Sequence, residues 1–199
     1  MNLRAPWVCA SLALFTLVGM ARAAAAPDAA AGDAALDELM GLLAQRQHGV
    51  ADFQQTQYLA VLKQPARSEG ILRYDAPDHL EQRTLKPHAQ SAVLDHGVLT
   101  LTSGTYRRTV RLEDYPQLAP LIDSVRATLA GDRGALEQRF ELHLEGDLAH
   151  WRLELHPRQA ELAAVVERIV LSGERDQILQ VEVQQSDGDR SLMIIKPRP

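Results

Sequence analysis

Side chains able to do chemistry are common in this 199-residue chain, but few stand in a pattern that chemistry requires. Its seven histidines, at 48, 79, 88, 96, 143, 150 and 156, form no H-x-H or H-x-x-x-H pair, so no two imidazoles are set to share a metal. His143 and His156 alternate with glutamates, as solvated side chains of a strand do. Ser68, Ser91, Ser103, Ser124, Ser172, Ser186 and Ser191 fall beside turns or in plain strand context, and no G-x-S-x-G elbow marks a nucleophile. The close carboxylates of "LEDY" (112–115) and "SDGD" (186–189) suit solvated surface and turns; a glycosidase pair needs a set separation across a cleft. Gly41, Gly49, Gly131 and Gly134 form no phosphate-cradling loop. The chain reads as a non-enzyme with neither metal nor cofactor.

The one cysteine, Cys9, lies in a segment expected to be removed. Arg4 gives a short positive region, Val8 to Met20 is mostly apolar, and "ARAAAA" (21–26) offers small-residue cleavage registers. This is the layout of a secretory signal peptide over residues 1–23, cleaved between about 23 and 26, and too short for a spanning helix. No small-residue lipobox precedes Cys9, so a lipid anchor there is not expected. The mature protein then lacks thiols, and losing Arg4 and Arg22 takes its net charge from −5 to −7. An acidic, exported chain of this kind is a poor partner for nucleic acid or for anionic headgroups. Export follows from the leader.

Behind the leader, residues 24–33 are Ala-rich with Pro and Gly and read as a disordered mature N-terminus. A single domain is expected over 34–199. Asp33 is placed as the N-cap of a first helix whose Leu36, Leu39, Met40 and Leu43 recur at helical spacing, with Gly49 just past its end. Period-two segments follow near 51–62, 68–75, 79–86, 91–95, 98–102 and 105–112, with tight turns at "DHG" (95–97) and "SGT" (103–105). A second helix is predicted within 113–134, its stripe formed by Leu118, Leu121, Ile122, Val125 and Leu129, with Gly131 as its stop. Phe140, Leu142 and Leu144, then Trp151, Leu153 and Leu155, alternate with charged residues across a hairpin turning near Gly146 and Asp147. A short helix within 157–164 and strands near 165–171, 177–185 and 190–196 complete the count.

About ten or eleven antiparallel strands with amphipathic helices define an α+β fold. What remains once the polar motifs are set aside is apolar area. The aliphatic stripe of the second helix either completes a solid core or covers a cavity for an acyl chain, and pattern alone leaves both open. "TYRRTVR" (105–111) is a small basic cluster that reads as a solvated strand face or as a docking site for an acidic partner.

Three motifs then carry a resemblance. "FQQ" (53–55) resembles the F-x-Q strand of the LolA family of periplasmic lipoprotein carriers. "EGILRYDAP" (69–77) places Gly70, Leu72 and Pro77 as in that family's G-x-L-x-x-x-x-P segment, and "VLDHGVLTL" (93–101) loosely resembles its later hairpin. The match is densest over 36–102. It implies a curved, incomplete antiparallel β-barrel whose open apolar face is covered by helices. Lipoprotein carriers of the family place an Arg directly before the Pro, where it helps latch the lid; here Ala76 stands there, and Leu80 and Gln82 replace aromatics after it.

The resemblance implies a monomeric carrier of acyl chains, moving lipid or lipoprotein between an inner-membrane transporter and an outer-membrane acceptor. A glycolipid cargo, or a non-transporting sensor or assembly factor on the same scaffold, are the alternatives. Cavity or core candidates on the strands are Phe53, Leu72, Tyr74, Leu80, Leu99 and Leu101. Leu118, Leu121, Ile122, Val125 and Leu129 are the lid candidates.

Overall fold

The computed structural model describes residues 27–114 and 119–198. Eleven strands form a single antiparallel sheet: β1 (His48–Tyr58), β2 (Ala66–Asp75), β3 (His79–Lys86), β4 (Gln90–Asp95), β5 (Val98–Ser103), β6 (Tyr106–Arg111), β7 (Phe140–Asp147), β8 (His150–Pro157), β9 (Val166–Glu174), β10 (Gln177–Gln185) and β11 (Arg190–Pro197). Among the described residues four α-helices accompany them: α1 (Pro27–Ala44), α2 (Ala119–Leu129), α3 (Arg133–Glu137) and α4 (Ala160–Ala163). The strand order is β6-β5-β4-β3-β2-β1-β11-β10-β9-β8-β7, so the sheet is unclosed and its first and last strands pair at its centre. The α+β class and the incomplete barrel are therefore both observed.

The β1–β11 pairing, with Phe53 opposite Ile195 and Gln55 opposite Met193, joins an N-terminal half-sheet to a C-terminal one. Because paired residues share a face, one row runs Tyr74, Leu80, Leu94, Leu99 and Val110 across β2 to β6. The matching face of the other half carries Leu155, Leu153, Ile169, Leu171, Val181 and Val183. A sheet with one apolar face needs a cover, and the two halves are covered differently.

Helix α1 packs dry. Leu36, Leu39, Met40 and Leu43 are buried against Phe140, Trp151, Leu153 and Leu155 in the main core, each worth about 2 kcal/mol of apolar burial. The helix starts earlier than expected. Residues 27–33, expected to be disordered, are helical; Pro27 suits a first turn and the alanines favour helix. Residues 24–26 and the leader lie outside the described residues. Asp33 is accordingly not an N-cap. Arg133 donates through Nη2 to Asp33 Oδ1 (2.7 Å), through Nη1 to Asp37 Oδ1 (2.9 Å) and through Nε to Glu137 Oε1 (2.7 Å), tying α1 to α3. Gly49 does not stop α1, which ends at Ala44; it sits in β1 opposite Tyr74. The hairpin between β7 and β8 turns at Leu148 and Ala149, beyond Gly146, which stays in β7.

Candidate functional site: an apolar cavity beneath the second helix

Over the centre of the sheet the cover does not meet the strands. A half-open cavity of ≈ 430 Å³ lies between α2 and the inner face of β1, β2, β3 and β8 to β11. Its walls are aliphatic: Leu72 and Leu80 from the N-terminal half, Ile169, Leu171, Val181 and Ile195 from the C-terminal half. The register puts Val181 opposite Met193, so Val181 and Val183 on β10 and Met193 and Ile195 on β11 face inward together.

Helix α2 meets this space with an unexpected face. The residues buried most tightly on it are Ser124, Ala127 and Thr128, at i, i+3 and i+4. Ala127 joins the core with the α1 leucines, Ser124 and Thr128 line the cavity, and the Thr128 hydroxyl donates back to the Ser124 carbonyl at 2.8 Å, which satisfies a buried donor. The large aliphatics are rotated toward the opening: Val125 lines the cavity yet remains 46% exposed, with Leu129 beside it.

Among the sequence candidates, Leu72, Tyr74, Leu80, Val125 and Leu129 line the cavity. Phe53, Leu99, Leu101 and Ile122 do not. Phe53 is fully buried over Gly70, where an added Cβ would fall 2.9 Å from the ring, so Phe53 plugs the sheet beside the cavity. Leu99 is half-buried and extends the Leu94 row. Leu101 shares the inner face but is 37% exposed, because no described helix covers β4 to β6 beyond the lid. Leu118 lies outside the described residues, and so does the side chain of Leu121. Leu155, Ile169, Leu171, Val181, Val183, Met193 and Ile195 were missed; their period-two spacing was legible, but nothing local tied those strands to α2.

Polar groups gather at the edges. Arg46, at the end of α1, donates through Nη2 to Asp176 Oδ2 (2.6 Å) and through Nε to the Asp176 carbonyl (3.2 Å), closing one end. Gln55, Gln82 and Ser191 lie along the lining farther down the strands. Burial pushes the Tyr74 phenol above its usual range, against the opposing pull of the nearby Arg126 charge. Arg126 itself leaves α2 to pair with Asp78 in the β2–β3 turn, next to Ala76 and Pro77. Asp123 on the same helix accepts from Arg139 Nη2 at 3.2 Å, anchoring α2 to the start of β7. Among the described residues no group of three or more His, Cys, Asp or Glu is arranged to hold a metal ion.

An unclosed antiparallel sheet thus wraps around an apolar cavity spanned by a helix. Residues 20–196 match the family model described as outer membrane lipoprotein carrier protein LolA-like, and the chain belongs to that family. No curated protein matches the sequence. Among solved structures, a LolA superfamily protein from Nitrosomonas europaea is similar at 10% identity and a TM-score of 0.45, over 84% of this chain and 94% of that one. The Pseudomonas aeruginosa MucA/MucB complex contains a chain similar at 16% identity and a TM-score of 0.45, over 82% of this chain and 58% of that one. LprF from Mycobacterium bovis is similar at 10% identity and a TM-score of 0.34, over 81% and 91%.

Proposed function

We infer that the protein is a periplasmic carrier that holds acyl chains in the cavity under α2 and moves them between membranes. The observation that supports this is the half-open cavity of ≈ 430 Å³, walled by aliphatic side chains from both halves of the sheet. Val125 adds to it, because an exposed aliphatic at a cavity mouth loses its contact with water only when a ligand arrives. Each methylene buried is worth about 0.8 kcal/mol, so binding needs no polar catalyst and release needs only an opened lid. The Arg126–Asp78 pair takes the role of latch, with the cation on the lid and the carboxylate on the strand turn. That arrangement compensates for Ala76 at the position where lipoprotein carriers place Arg. Loading by an inner-membrane transporter and delivery to an outer-membrane acceptor belong to this reading, as do export by a cleaved leader and a monomeric state. Native mass spectrometry with lipid extraction of the purified protein tests it. Co-purified lipid, or saturable uptake of a fluorescent acyl probe, is expected; an empty chain that takes up no probe would overturn it.

A second reading, a sensor or assembly factor, draws on β6. It is an edge strand among the described residues, and Tyr106 stands 59% exposed beside Arg107. A stable partner whose binding survives Val125→Asp would favour this reading over the carrier.

A further inference from the structure

The dimensions of the cavity say more than its polarity. Along β1 the lining runs from Gly49 to Gln55, six residue steps, or roughly 20 Å at about 3.3 Å per residue. A cavity of ~150 Å³ accommodates the six carbons of benzene, about 25 Å³ each, and a water-sized group takes ~30 Å³. At those volumes, ≈ 430 Å³ holds roughly 14 to 17 carbons. With bonds of ~1.5 Å advancing roughly 1.3 Å each along a zigzag, a chain of that length extends for about 17 to 21 Å. The carbons that fill the volume, laid end to end, thus match the run of lining along β1, as one extended alkyl chain would.

We propose that the cavity takes a single acyl chain of about 14 to 17 carbons and has no room for a second. This rests on the acyl-binding reading above and narrows it to amphiphiles that insert one chain. The rim gives the headgroup little say. Arg46 is engaged by Asp176, and Arg73 donates from Nε to Asp75 at 2.7 Å, so both cations of the lining are paired with carboxylates. Chain length sets the affinity, and a zwitterionic and an anionic head on the same chain bind alike.

The test is a competition series on the delipidated protein. Lysophosphatidylcholines of increasing chain length, C16 lysophosphatidylglycerol and a C16 diacyl phosphatidylcholine displace a fluorescent acyl probe, and native mass spectrometry counts bound ligands. Kd is expected to fall about fourfold per added methylene and then level off between C14 and C18, with one ligand per chain. The two C16 lyso-lipids should agree within a factor of three, and the diacyl lipid should bind at least tenfold more weakly. Val183→Phe, which adds four carbons to the wall, should move the plateau to chains roughly three methylenes shorter. Affinity that keeps rising through C20, or equal binding of the diacyl lipid, overturns the single-chain proposal while leaving acyl binding intact. A protein that binds no lyso-lipid at any length overturns both.

Discussion

Removing the Arg126–Asp78 pair should free the lid helix without unfolding the protein. The two side chains retain 33% and 23% of their exposure, so this is neither a solvated surface pair nor a fully buried one. Exposed pairs contribute about 0.2–1 kcal/mol, and hydrogen bonds to charged groups about 1.5–3 kcal/mol. A value between them, about 1–2 kcal/mol, corresponds to a lid that opens roughly 5 to 30 times more often. Asp78→Asn leaves Arg126 with Asp123, 3.6 Å away on its own helix, which cannot hold α2 to the sheet. Hydrogen exchange read by mass spectrometry on peptides spanning 119–129 checks this. The expected result is exchange roughly 5 to 30 times faster in α2 for Asp78→Asn and for Arg126→Gln, with β8 and β9 unchanged. The reversed pair, Asp78→Arg with Arg126→Asp, should restore most of the protection. Unchanged exchange of α2 in both single variants, or acceleration spread evenly into β9, would refute the latch.

Other consequences follow from neighbouring residues. Gly131, at φ 64°, ends α2 against α1, and an added Cβ would meet the Met40 carbonyl and fall 2.8 Å from Ala44 Cβ; Gly131→Ala should therefore cost about 2–3 kcal/mol in urea denaturation. Phe53 is core rather than cavity, so Phe53→Leu should lower the melting temperature while leaving probe affinity within twofold of wild type. Val125→Asp should do the reverse, weakening the probe at least tenfold with little change in melting, because the side chain is half in water already. Hydrogen bonding by His156, joined by Arg152, holds the Glu154 carboxyl below its ordinary 4.5 against partial burial. A depressed carboxylate stabilises the folded state above its unfolded value and loses that contribution as pH falls through the folded one. The stability gap between wild type and Glu154→Gln should thus narrow as pH drops below 4.5 in denaturant titrations; a gap that widens there contradicts the assignment.

Local pattern carried far in this chain, and its failures have physical causes. The bounds of β3 and β10 coincide with those read from the sequence, because turn residues flank both strands. The α1 stripe is buried as its spacing predicts. Its start was misplaced because Asp33 resembles a cap, whereas the side chain is taken by Arg133, a hundred residues away. For α2 the aliphatic stripe gave part of the lining: Val125 and Leu129 face the cavity, and Ser124 and Thr128 join them there. Packing with the α1 leucines selects Ala127, and a Thr that bonds its own helix can be buried as readily as a leucine. Strand order was beyond local reading: no periodicity announces that β11 returns beside β1. That pairing carries Met193 and Ile195 to the cavity, so more than half of its aliphatic wall was missed. The latch was hidden too, since Asp78 and Arg126 are ordinary charges until the fold brings them together.

The most direct measurement is where a bound chain lies. An acyl probe carrying a photoreactive diazirine near its terminus, bound to the full protein, irradiated and mapped by peptide mass spectrometry, reads this out. Labels on the inner-face positions of β2, β9, β10 and β11, among them Leu72, Leu171, Val181 and Met193, are the predicted result, lost on competition with an unlabelled lyso-lipid. Labels confined to the exposed face around Leu101 and Tyr106, or labels that unlabelled lipid does not displace, would contradict the account.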